Sequence, residues 1–117
     1  FMQSCLPAGA KVSLISGDEQ FRYDGGDFRP EKTQGQAPDC RVEVTPAVAA
    51  KEDYFLHVLT ATDSTVTDVP RATVTEDGDR VSVSLEGKTI LFTKSALGGS
   101  LVTAEGEAPF AARIVPN

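Results

Sequence analysis

The sequence predicts an all-β protein, an antiparallel two-layer β-sandwich of about eight to nine strands. Three observations carry that prediction. Short apolar runs recur at roughly 8–12-residue spacing, separated by Gly, Pro, Asp and Ser turn signals. Val and Thr are frequent and there are 10 glycines, a composition of strands and tight turns. No window shows a sustained helical period of apolar residues. A length of 117 residues suits one domain spanning 1–117. A domain of that size buries about two-thirds of the surface its unfolded chain exposes, enough for a core without metals.

Lys11–Ile15 is the first clear strand, closed by Ser16-Gly17-Asp18. Gln20–Tyr23 is the second, closed by Asp24-Gly25-Gly26. The stretch from Asp27 to Asp39, rich in Pro, Gly, Gln and charge, reads as a loop. Arg41–Thr45 and Tyr54–Thr62 follow, joined by a connection that starts at Pro46. The second of these is apolar on both faces: Phe55 and Leu59 point one way, Leu56 and Val58 the other. A strand of that kind is expected to be covered on both sides. Arg71–Thr75 comes next, and Glu76-Asp77-Gly78-Asp79 is a turn.

In Arg80–Leu85, Val81, Val83 and Leu85 alternate with Ser82 and Ser84, the pattern of a half-buried strand. Glu86-Gly87 is a hairpin tip leading into the returning strand Thr89–Thr93. Ser100–Ala104 and Phe110–Val115 complete the set.

The net charge is −6, from 17 acidic against 11 basic residues. That balance argues against a nucleic-acid surface, which needs a basic footprint. It argues less strongly against capture of a polyanionic glycan. Arg22, Arg29, Lys32 and Arg41 are interleaved with Asp24, Asp27, Glu31 and Asp39, which reads as a solvated mixed-charge surface. No run of about 18 apolar residues exists to span a membrane as a helix. The opening FMQSCLPAGAKV lacks the basic and long apolar regions of a signal peptide and reads as the start of a domain cut from a longer protein.

Catalytic motifs are scarce. The single His, His57, lies on the apolar strand between Phe55 and Leu59 and reads as a satisfied interior or interface group, not a catalyst. Tyr54 and His57 are three apart, so on one strand they project to opposite faces. No His or Cys pair has metal-ligand spacing, and no nucleophile elbow or phosphate loop is present. Glu76, Asp77 and Asp79 hold oxygens but lack the EF-hand spacing, and read as an acidic turn. No cofactor and no catalytic residue is expected in this chain. Cys5 and Cys40 are candidates either for one disulfide, if their strands are neighbours, or for two buried free thiols. Phe21, Tyr23 and Phe28, with Arg22 and Arg29, form a candidate carbohydrate platform; the competing reading packs those rings into the core.

Several pieces in order resemble the C-terminal β-domain of heparinase II/III-like polysaccharide lyases. They are Leu6-Pro7 with the strand through Val12, and the glycine turn from Gly17 through Phe21 to Gly25-Gly26. Arg41-Val42-Glu43-Val44-Thr45-Pro46, Phe55-Leu56-His57-Val58-Leu59 and the hairpin from Val81 to Phe92 follow. The pair of runs at 41–46 and 55–59 is the most specific. The family places an aromatic residue, often Trp, before the Arg-Val-Glu-Val run, where this chain has Cys40. The resemblance implies the non-catalytic C-terminal fragment of a secreted or periplasmic lyase that cleaves uronate-containing glycans by β-elimination. Its partners would be the parent's catalytic toroid and central β-sheet domains, with His57 at a domain interface. The family's catalytic motifs match no position here.

Overall fold

The structure, a computed structural model, describes residues 1–32, 35 and 38–110. The all-β class predicted from the sequence is what it shows. Eleven strands lie among the described residues, with one short 3-10 helix at Gly17–Phe21. The strands are β1 (Met2–Leu6), β2 (Lys11–Ser16), β3 (Arg22–Tyr23), β4 (Gly26–Asp27), β5 (Cys40–Thr45), β6 (Leu56–Leu59), β7 (Thr73–Asp77), β8 (Arg80–Leu85), β9 (Lys88–Thr93), β10 (Gly99–Thr103) and β11 (Gly106–Phe110). No helix among the described residues is long and apolar enough to cross a membrane.

The packing divides into two compact units. One holds Phe1–Cys5 and the described residues from Leu56 on; the other is Leu6–Phe55. In the first, β7 to β11 form a five-stranded antiparallel sheet in the order β11-β10-β9-β8-β7. Each strand pairs with the next in sequence, so every connection is a local hairpin. Glu86 and Gly87 both take positive φ, 48° and 75°, which is the two-residue type I′ turn the sequence signalled between Leu85 and Lys88. Val81 and Val83 are buried, as their alternation predicts, while Ser84 on the other face is exposed and shares a 2.8 Å hydrogen bond with Thr89. Pro109 is tolerated in β11 because that strand is an edge.

Beside that sheet in the same unit, β1 pairs with β6. Phe1 and Thr60 exchange both backbone hydrogen bonds just past the ends of these strands. The Gln3 amide then behaves like a strip of backbone. Its Nε2 donates to Ala72 O and its Oε1 accepts from Ala72 N–H, each at 2.8 Å, tying β1 to the segment before β7. Ala72 is buried.

In the second unit β2 and β5 form an antiparallel ribbon with Val12 opposite Val44 and Leu14 opposite Val42. The short hairpin β3–β4 pairs Arg22 with Asp27 and Tyr23 with Gly26, and a further bond from Phe28 N–H to Phe21 O extends it.

Several expectations are corrected. Gln20 and Phe21 belong to the 3-10 helix and not to a strand; the Gln20 carbonyl there accepts from Arg41 on β5, a contact no local pattern reveals. The strand expected at 110–115 contributes only Phe110 to β11; its remainder lies outside the described residues, as do positions 33, 34, 36 and 37 of the 27–39 loop. The largest correction concerns Tyr54–Thr62. Only Leu56–Leu59 is strand, Leu56 and Val58 are half-buried, and Phe55, His57 and Leu59 are exposed. β6 sits in a two-stranded sheet and has one covered face. Leu56→Ala is therefore expected to cost about 1–2 kcal/mol, below the full-burial range, and Leu59→Ala, at a site 74% exposed, within about 0.5 kcal/mol of nothing. Urea denaturation followed by circular dichroism checks the order; equal losses at both positions would contradict it.

Candidate functional site

The candidate site is built on the unit Leu6–Phe55, and its keystone is Arg41. Arg41 and Glu43 lie on the same face of β5, two residues apart. Arg41 Nε and Nη2 both donate to Glu43 Oε1, at 3.0 and 2.7 Å. The remaining terminal nitrogen, Nη1, donates to three carbonyls: Gln20 O and Arg22 O at 2.7 Å and Glu19 O at 3.3 Å. The planar fork of a guanidinium suits this divided task, one edge on a carboxylate and one tip on backbone. The 3-10 helix and the start of β3 are thus fastened to β5 through a single side chain.

This arrangement turns the β2–β5 ribbon inside out relative to the usual pattern. Ser13, Ile15, Arg41 and Glu43, on one face, are all half-buried. On the opposite face Val12, Leu14 and Val42 are 45%, 70% and 41% exposed, and Val44 is half-buried. The strand signals at 11–15 and 41–45 do not say which face is covered, and sequence reasoning missed both this open aliphatic face and the role of Arg41.

The β3–β4 hairpin projects from the fastened segment. Its turn residues Asp24 and Gly25 take positive φ, 48° and 75°, a second type I′ turn. The sequence-predicted platform residues gather here. Tyr23 and Phe28 are 65% and 68% exposed, so their expected competing role as core residues does not hold. Phe21 is half-buried. The guanidinium of Arg41 lies 5.9 Å from the Tyr23 ring centroid, and that of Arg29 lies 5.5 Å from the Phe21 centroid. Phe28 rests on Gly26: a Cβ placed there would meet the Phe28 ring at 2.9 Å. Arg22 pairs with Glu19 and Arg29 with Asp18, each at 3.0 Å, and the Arg29 N–H is also accepted by Asp27 Oδ1. A small open hollow runs along Arg22, Gly25, Gly26 and Asp27.

The other sequence candidates are placed elsewhere. Cys5 and Cys40 are both free thiols and half-buried. Burial pushes the Cys5 thiol up from its ordinary pKa, against a smaller opposing effect from a hydrogen bond with the Val58 backbone. His57 stands on the exposed face of β6, which corrects the interior reading of that residue.

The expected acidic turn is shorter than 76–79: Glu76 and Asp77 end β7 and only Gly78-Asp79 turns, and Glu76 and Asp79 fasten the β9–β10 connection. Glu76 accepts from Lys94 Nζ at 2.8 Å, and Asp79 Oδ1 accepts from the Ser95 N–H at 3.1 Å. Among the described residues no three His, Cys, Asp or Glu side chains gather as a metal cluster.

What the fold and site define is a class: an all-β module that displays an aromatic hairpin on one unit. No family model, curated protein or solved structure matches the chain.

Proposed function

We propose that this chain is a non-catalytic accessory β-module that works by packing, within a secreted or periplasmic heparinase II/III-like polysaccharide lyase. The observation that carries this reading is the inverted β2–β5 ribbon. Its charged pair faces the module's own backbone, and its aliphatic face meets solvent. A two-stranded ribbon has little stability alone, and contiguous exposed aliphatic surface marks a contact face. The Arg-Val-Glu-Val run supports the same reading. Arg41 and Glu43 are committed to each other and to carbonyl oxygens, so the most specific part of the resemblance serves as scaffold. His57 and Leu59, outward on β6, are assigned to contact with a neighbouring domain of the parent lyase.

Incubated with heparin, heparan sulfate or alginate, the isolated chain is expected to produce no unsaturated-uronate absorbance; such a signal overturns the non-catalytic assignment. The packing face is tested separately. A Leu14→Ser, Val42→Ser double variant is expected to bind several-fold less of a hydrophobic-surface dye than the unmodified chain. Equal dye uptake would remove the ribbon as the contact face.

A second reading has its own observation, the exposure of Tyr23 and Phe28. On that reading the β3–β4 hairpin contacts polysaccharide, with Phe21 and the flanking Arg22 and Arg29 supporting the two rings.

A further inference from the structure

The β3–β4 hairpin holds two aromatic rings at its surface, each propped from one side. Arg41 lies against Tyr23, and the backbone of Gly26, bare of any Cβ, receives Phe28. Large exposed rings that are fixed in advance lose little freedom on contact, the condition that favours a ligand platform. The same region also fixes the charge such a ligand meets. Each of the three guanidinium groups already has a carboxylate: Arg22 with Glu19, Arg29 with Asp18, Arg41 with Glu43. Asp24 and Asp27 add two further acidic groups on the hairpin itself. Three arginines therefore stand among five carboxylates. A uronate or sulfate reaching this surface has to compete with an ion pair already made, and meets a net negative field.

We infer that the Tyr23–Phe28 surface takes neutral saccharide rings, by stacking, and discriminates against polyanionic glycan chains. This rests on the sugar-contact reading of the hairpin and names the ligand class for it. The contact is apolar carbohydrate face against aromatic face, with the hollow along Arg22, Gly25, Gly26 and Asp27 offering polar groups at its edge.

The test is affinity electrophoresis of the chain through gels containing arabinoxylan, laminarin or galactomannan, against gels containing polygalacturonate, alginate or heparin. Retardation is expected in at least one neutral gel and in none of the anionic ones. Tyr23→Ala and Phe28→Ala are each expected to weaken that retardation by about tenfold. Phe28→Ala removes an exposed ring, so its melting temperature should stay unchanged. Gly26→Ala gives an independent arm: it displaces the Phe28 ring without altering charge and should also weaken retardation. Retardation confined to the anionic gels overturns the neutral preference while leaving a sugar contact in place. No retardation in any gel, or retardation that survives loss of both rings, overturns the sugar contact itself.

Discussion

Arg41→Ala is expected to destabilise the Leu6–Phe55 unit by about 3 kcal/mol. A hydrogen bond to a charged group contributes about 1.5–3 kcal/mol, and Arg41 makes several. They share one side chain, so they do not add. The Arg41 side chain is also 27% exposed, so water recovers part of the loss and screens the pairing with Glu43. What remains is chiefly the cost of leaving carbonyls of the 3-10 helix and β3 without their common donor. Arg41→Lys should recover less than half of the stability. An ammonium keeps the charge but cannot place one edge on Glu43 while its tip spans the carbonyls of Gln20 and Arg22. Guanidinium chloride denaturation, read by the near-ultraviolet signals of Tyr23 and Tyr54, both in this unit, measures both variants. A loss under about 0.5 kcal/mol for Arg41→Ala, or full recovery by lysine, would refute the clamp.

Gly99→Val should destabilise the five-stranded sheet by about 3 kcal/mol, at the upper end of overpacking costs. Gly99 pairs with Phe92 on one side and with Phe110 on the other. A Cβ at this position runs into the carbonyl oxygen of Leu91 and comes within 2.8 Å of the Phe110 ring. The ring can turn, but the carbonyl belongs to the neighbouring strand and can move only if β9 and β10 separate. Phe110 also packs edge-on against Phe92, with centroids 6.0 Å apart, so displacing it disturbs that contact too. Replacing glycine by alanine within a strand ordinarily stabilises by roughly 0.5–1 kcal/mol. The sign of Gly99→Ala therefore discriminates: a gain in melting temperature would show that the approach is not tight, and a loss is expected.

The strands with strict alternation were legible from the sequence. Val81, Val83 and Leu85 against Ser82 and Ser84 give β8 its face, and Glu86-Gly87 marks the hairpin to β9. Both are local signals, carried by side-chain period and turn chemistry. The candidate platform was legible as a set of residues, since Phe21, Arg22, Tyr23, Phe28 and Arg29 do gather around one short hairpin. Its exposure was not legible. An aromatic residue at a strand position satisfies a core and a surface platform equally well, and only the partners decide. For Tyr23 the decision comes from Arg41, far along the chain.

The doubly apolar run at 55–59 failed for a related reason. Hydrophobic residues on both faces show that both faces can be covered, not that one chain supplies both covers. In the β2–β5 ribbon the face that carries Arg41 and Glu43 is the one turned inward, because one arginine finds three carbonyls and a carboxylate there.

The clamp at Arg41 addresses oxygen atoms of the main chain at positions 19, 20 and 22, never their side chains. Those three positions are accordingly free to vary in residue type without losing that hold, whereas the turn beyond them still needs residues that accept positive φ at 24 and 25. The segment behaves as an interchangeable cassette on a fixed mount. Libraries randomised at 27 and 28 over an intact Arg41, Glu43 and Asp24-Gly25 turn should yield folded members at high frequency, making this small module a frame on which new recognition loops can be grown.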